Sequence, residues 1–454
     1  MDTNTLQWLL VLGSGVLFFF ITPFAKTISE FFSASDSEGK KPNVFMLTAS
    51  LVISWIFAKS ITNAANLGLA FGIVGGVSYA VYYLSFVVAG VVIYQLRTQG
   101  NFSSIHHFLQ TRFGRKAVII FSILIGFRLF NEVWSNTMVI GSYFGSSGSS
   151  VYYLSILVFT GLTLAYTLKG GLRSSLLTDA IQMVLFGVLL FIILGIIMPK
   201  EGEGAMGKFL ASGSWTMAGG LNLGFAALIQ VFSYPFHDSV MTDRGFISDP
   251  KTTLRSFLWA ALIGFFCLVA FSFVGIFAQF QGLEGQAAVE VGKILGVTTM
   301  LAMNFIMVTS AASTLDSAFS SFSKLMVIDL GKENLITIQR GRMMMVLLTI
   351  VGTLPIFANP EILTATTVSG TMVMGLAPVF IFWKKNAPPL SFHLSVSCGI
   401  LIGILVATES FPQSLVFTEG KYATLLASNI WGSILCFILF FIPMIFQNEK
   451  KENY

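Results

Sequence analysis

An all-α polytopic membrane protein is the fold class this sequence predicts, on three observations. Of its 454 residues, 55% are hydrophobic and only 10% are charged, against about 25% charged in an average soluble domain. Mean hydropathy is +0.80. Apolar segments able to cross a bilayer core, which takes about 20 residues each, recur at 6–24, 45–70, 74–96, 117–144, 151–168, 174–198, 220–243, 255–280, 291–328, 342–358, 362–383, 390–409 and 423–446. About 13 transmembrane helices are therefore expected, with no sizeable soluble domain. The 42 glycines suit close approach of membrane helices.

Alternate loops differ in charge. Of the 26 Lys and Arg, only Lys200, Lys208, Lys293 and Lys421 fall in one set of loops, and Lys59 and Arg128 fall inside spans. The remainder, including Lys40, Arg112, Lys169, Arg173, Arg244, Lys324 and Arg340, lie in the other set. Basic loops stay cytoplasmic, so the N-terminus is expected outside and the C-terminus inside a cell membrane. This distribution explains the pI of 9.0 by the lipid bilayer, with no nucleic-acid partner. Met1 to Leu10 lacks a basic leader region, so no cleavable signal is expected. Cys267, Cys398 and Cys436 sit singly in apolar runs, with no metal or disulfide spacing.

The longest loop candidates are 25–43, 97–116 and 199–219. Loop 97–116, with His106, His107 and Phe108 among basic residues, reads either as a helix lying on the membrane surface or as a solvated loop. Gly145 to Ser150 is a flexible turn. Gly170-Gly171 lacks the Lys-Ser/Thr of a phosphate cradle.

Ionisable residues inside spans are costly and point to function by default. Here they are Lys59, Arg128, Glu132, Asp179, His237, Asp238 and Asp316, with His393 near a span end. Arg128 and Glu132 are four apart and can pair along one helix face, which is a structural role. Trp134 with Asn131 and Asn136 reads as helix packing.

Two spans look broken. The second carries Lys59, Ser60, Thr62, Asn63 and Asn66 at its centre. The seventh carries Pro235 in Tyr234-Pro-Phe-His237-Asp238, and proline removes a backbone donor. Irregular backbone at membrane depth survives only where it lines a cavity or is buried in protein. The two breaks are five spans apart. That fits a 5+5 inverted-repeat core with a discontinuous first helix in each repeat, the plan of many secondary transporters. The expected division is 1–43, an extra helix and loop; 44–219, the first repeat; 220–389, the second; and 390–454, two accessory helices and a tail. Freed carbonyls at the breaks can coordinate Na+, a hard ion.

The ninth span contains Ser310 to Ser323. On a helix, Ser310, Ser313, Thr314, Ser317 and Ser321 share a face, and Asp316 lies about 60° round from Ser313. This stripe can line a helix interface or bind a cation.

Three motifs resemble the sodium/solute symporter family, which has the inverted-repeat architecture of the bacterial leucine transporter. They are Ser313-Thr-Leu-Asp-Ser317 with Ser320, Ser321, Ser323 and Asp329-Leu330; Lys169-Gly-Gly-Leu-Arg173 with Leu177-Thr-Asp-Ala-Ile-Gln182; and Ser50 to Ala58 with Gly68 to Phe71. Together they span about residues 45 to 330. Span 2 and the segment after it also resemble the urea-transporting branch. The resemblance implies a sodium site from the carbonyls of Ile53, Ile56 and Ser310 and the hydroxyls of Ser313 and Thr314. It implies a second cation or proton site at Asp179, Ser313, Asp316 and Ser317. Asp316 and Ser320 depart from the family pattern, as does Lys59 in the implied solute cavity. Lys59 is open to three roles: neutralising Asp238 or Asp316, binding a solute carboxylate, or replacing an ion. Tyr234 to His237 replaces the polar pattern expected for sugars.

The expected function is Na+-coupled symport of a small organic solute by alternating access. Cavity candidates are Trp55, Lys59, Ser60, Tyr234, His237 and Asp238. No cofactor beyond the coupling ion and no obligatory protein partner is expected. A proton-coupled transporter using Asp179 and Asp316 is the alternative. A transporter-fold sensor fits poorly, with so short a tail after Phe446. An enzyme fits poorly too, for want of a nucleophile–base cluster; His106-His107 has no carboxylate beside it.

Overall fold

The structure, a computed structural model, describes residues 3–35, 38–358 and 369–452. Every regular element among them is helical. In chain order these are α1 (Thr3–Ile21), α2 (Ile28–Ser33), α3 (Val44–Trp55), α4 (Ala58–Ala80), α5 (Leu84–Thr98), α6 (Ile105–Phe113), α7 (Arg115–Ser142), α8 (Ser150–Ile197) and α9 (Ala205–Leu210). Then come α10 (Asn222–Gln230), α11 (Ser239–Ile247), α12 (Pro250–Phe280), α13 (Ala287–Leu295), α14 (Val297–Lys324), α15 (Ile338–Thr353), α16 (Leu376–Ile381), α17 (Pro389–Ala407) and α18 (Ala423–Glu452).

Nine helices among the described residues are long and apolar enough to cross a membrane. Two of these stretches exceed the length that one crossing needs. The apolar stretches Ala58–Thr98 and Ser150–Glu201 run to 41 and 52 residues, and glycines with left-handed φ interrupt them, Gly72 at 62° and Gly171 at 57°. Only glycine takes that conformation without strain. Val44–Trp55 and Met217–Gln230 are shorter apolar helices; they are the first halves of spans 2 and 7. Of the eleventh expected span, 362–383, residues 362–368 lie outside the described residues.

Local chemistry sets the helix starts. Asn43, Ser104, Ser149, Asp238, Asp249 and Thr337 each accept a backbone N–H in the first turn of the helix that follows, the usual N-cap bond. Residues 105–113 form helix α6, so of the two readings of loop 97–116 the helix is found. The ninth span differs from expectation. Gly296, at φ 89°, separates α13 from α14, so 291–295 belongs to a short preceding helix.

The tightest packing is between α4 and α12. A Cβ on Gly275 would lie 1.7 Å from the Ala65 carbonyl, and one on Gly68 would lie 2.2 Å from the Ser272 carbonyl. The obstacles are backbone, so neither helix can yield locally. Gly275→Val is expected to cost about 3 kcal/mol, the upper range for overpacking, read as a fall in the thermal midpoint of purified protein. An unchanged midpoint would contradict this packing. These contacts seat α4, and with it the break in span 2, against the long α12.

Candidate ion and solute site

Span 2 breaks between α3 and α4. The helical ladder stops at Ile56 N–H donating to the Val52 carbonyl, 2.8 Å, and resumes at Ile61 N–H donating to the Phe57 carbonyl, 3.0 Å. Ile56 and Phe57 hold ψ of 64° and 146°. Side chains take over some of the freed groups. Tyr83 Oη donates to the Trp55 carbonyl, 2.7 Å, and Lys59 N–H donates to Asn136 Oδ1, 3.2 Å. Ile53 and Ile56 are fully buried, with their carbonyls in the interrupted stretch. Span 7 breaks in the same manner, with a short 3₁₀ turn at Tyr234–His237 between α10 and α11. Pro235 causes it. Asp238 then restarts the helix, its Oδ1 accepting Met241 N–H at 3.1 Å.

The hydroxyl stripe of α14 faces inward and is buried along its length. Ser313 Oγ donates to Asp179 Oδ1, 2.5 Å. Ser317 Oγ lies 3.0 Å from both Ser54 Oγ and Ser175 Oγ. Thr314 Oγ1 is turned back on its own helix, donating to the Ser310 carbonyl at 2.9 Å. Ser310 Oγ is buried with no partner among the described residues. α3, α8 and α14 thus meet through Ser54, Asp179, Ser313 and Ser317.

The charge count places one residue of this meeting point in a cytoplasmic loop. Arg244, in the last turn of α11, is fully buried. Its guanidinium donates to Asp179 Oδ2 at 3.1 Å, Ser50 Oγ at 2.5 Å and Ser317 Oγ at 2.7 Å. The apolar run ends just before it, so it reads as a loop residue. The signal that identifies it is the need of buried Asp179 for a cation.

Asp316 has no such partner. Tyr166 Oη, Ser175 Oγ and Thr178 Oγ1 donate to its carboxylate at 2.8, 2.7 and 2.9 Å. No Lys, Arg or His among the described residues pairs with it. Ser175 reaches both Asp316 and Ser317, so it bridges two of the four implied second-site residues.

Of the cavity candidates, Trp55, Ser60 and Tyr234 line a cavity together with Phe57, Tyr79, Tyr82 and Tyr83. It is closed down to about 20 Å³, room for one water. Lys59, His237 and Asp238 lie behind this aromatic wall. Lys59 pairs with neither Asp238 nor Asp316. Its Nζ is 2.8 Å from Glu132 Oε2, because the first turn of α4 faces α7. The expected Arg128–Glu132 pair is present at 2.6 Å, and Arg128 also reaches Asp238 Oδ2 at 3.2 Å. Trp55 Nε1 donates to the same Oδ2, 2.8 Å. His237 Nδ1 lies 2.6 Å from the Tyr234 carbonyl and so is the protonated nitrogen; its Nε2 has no partner among the described residues.

At the end of α14 near these basic loops, Lys324 pairs with Asp243, and Arg97 clamps the carbonyls of Gly245 and Ser248. These contacts lock α11 against α14 and α5.

The arrangement of helices as a whole is matched among solved structures. A Na+-coupled sialic acid symporter, substrate-bound and outward-open, superposes with a TM-score of 0.71 at 15% identity, over 96% of this chain and 98% of that one. This chain has the leucine-transporter-type fold of the sodium/solute symporters. Sequence likeness agrees. The symporter-like chain is 22% identical over 506 residues to the urea-proton symporter DUR3 of rice (Oryza sativa subsp. japonica), covering 94% of itself and 69% of DUR3. It is 26% identical over 193 residues to mouse (Mus musculus) sodium/glucose cotransporter 1, which is 40% of this chain and 28% of that protein. No protein-family model matches it. All three relatives are named as symporters or cotransporters.

Proposed function

We propose that this chain is a Na+-coupled symporter of a small organic solute, working by alternating access in a cell membrane. Its basic loops face the cytoplasm, and 44–219 and 220–389 are its inverted repeats. One observation carries the reading: the break in span 2 leaves carbonyls of Ile53 and Ile56 free within a core that the hydroxyl stripe of α14 shares. Na+ prefers such uncharged oxygens. The ion is held by those carbonyls, the Ser310 carbonyl, and the hydroxyls of Ser313 and Thr314, with Thr314 Oγ1 released from its own helix on binding. Solute enters between the breaks in spans 2 and 7, where Trp55, Ser60 and Tyr234 form the wall.

Uptake into proteoliposomes under an inward sodium gradient tests this. Ser313→Ala and Thr314→Ala are each expected to raise the half-saturating sodium concentration about tenfold, matching about 1.4 kcal/mol for a lost ligand. If both variants keep wild-type sodium dependence, the site lies elsewhere.

A proton-coupled reading is favoured by the buried carboxylate of Asp316, which has hydroxyl donors and no counter-charge among the described residues. The likeness to a urea-proton symporter supports it as well. Uptake would then follow the pH gradient and ignore sodium.

A further inference from the structure

We propose that the solute is uncharged, because the layer directly behind the aromatic wall of its site is a self-neutralising set of four charges: Lys59, Glu132, Arg128 and Asp238. This rests on the symport reading only in placing the solute beside the two helix breaks.

The four groups form one chain of ion pairs. Glu132 Oε2 lies 2.8 Å from Lys59 Nζ, and its Oε1 lies 2.6 Å from Arg128; Arg128 continues to Asp238 Oδ2 at 3.2 Å. All four are buried. Two positive and two negative charges sum to zero, and a proton passed from Lys59 to Glu132 would leave that sum unchanged. The set borders the solute cavity. Lys59 Nζ lies 4.9 Å from the Phe57 ring centre, Arg128 lies 5.2 Å from Phe57 and 5.0 Å from Tyr234, and Asp238 accepts the Trp55 indole N–H. Phe57, Tyr234 and Trp55 are all cavity walls.

A charged solute entering here finds every opposite charge already engaged. It would have to break a buried pair or sit uncompensated, and both are costly in a low-dielectric interior. A neutral solute needs only hydrogen bonds. Among the lining residues, Ser60 and Tyr234 carry hydroxyls that can make them. A hydroxyl both donates and accepts. A small neutral amide, which does the same, is one class of solute that suits them.

Glu132 is the pivot, because it alone neutralises both Lys59 and Arg128. The test is binding of radiolabelled acetamide, urea, acetate and methylammonium to purified protein, with no ion gradient. Wild type is expected to bind the neutral probes at least tenfold better than acetate or methylammonium. Glu132→Gln leaves one excess positive charge, and is expected to shift preference at least tenfold toward acetate. Lys59→Gln added to Glu132→Gln returns the sum to zero and is expected to restore the neutral preference. Should Glu132→Gln not yield folded protein, Asp238→Asn carries the same excess charge and keeps an N-cap side chain. The proposal is overturned if wild type prefers a charged probe, or if the excess-charge variant gains no preference for acetate. A failure of the symport reading is distinct: binding would follow this pattern while liposome uptake stayed independent of any ion gradient.

Discussion

Arg244→Ala is expected to destabilise the protein by about 3–5 kcal/mol, the range for removing one partner of a buried ion pair, and to abolish transport. The guanidinium ties α11 to three other helices at once through Ser50, Asp179 and Ser317. Its loss leaves Asp179 buried, with only the hydroxyls of Ser50, Ser54 and Ser313 as donors. The companion variant Arg244→Met with Asp179→Asn removes both charges and is expected to recover most of the stability, since an apolar or neutral replacement of a buried pair is often near neutral. Thermal midpoints of the two variants measure this. Transport should stay low in the double variant, because the link from α11 to α14 through Arg244 and Ser317 is still missing. Equal midpoints for the single and double variants would show that Asp179 does not depend on Arg244 for its charge balance.

Asp316→Asn is expected to lower ion-driven accumulation about 10- to 100-fold, corresponding to the roughly 1.5–3 kcal/mol of a hydrogen bond or ligand involving a charged group. The residue keeps its shape and an acceptor oxygen for Tyr166 or Thr178, so the change is chiefly one of charge. Its sign separates the two coupling readings. With a second sodium held at Asp316, the dependence of uptake on sodium loses cooperativity. With a proton there, uptake loses its response to the pH gradient and sodium makes no difference. Unaltered ion dependence in Asp316→Asn would remove this carboxylate from the coupling machinery altogether.

Membrane class and broken spans were legible because they depend on local rules. Low charge and long apolar runs require a bilayer, and Pro235 or a cluster of polar residues at a span centre requires a break. The i, i+4 pairing of Arg128 with Glu132 was equally local. The glycine turns at Gly72 and Gly171 are local too, although they mark crossings inside one apolar stretch.

The partners of buried charges were not legible. Lys59 is 179 residues from Asp238 and 73 from Glu132 in the chain, and nothing in the sequence says which carboxylate its Nζ meets. That choice follows from how α4 packs on α7. Arg244 shows the same limit: past the end of an apolar run, a basic residue reads as a cytoplasmic anchor, yet the packing of α11 against α3, α8 and α14 buries it in the core. The sequence by itself determined that this is a polytopic helical protein with two interrupted helices and a hydroxyl stripe, because hydropathy and backbone chemistry act over one or two turns. Only the tertiary structure decided that Asp179 is neutralised, that Asp316 is not, and that the charges behind the aromatic wall cancel. Each of these depends on Coulomb terms between residues brought within about 3 Å by helix packing.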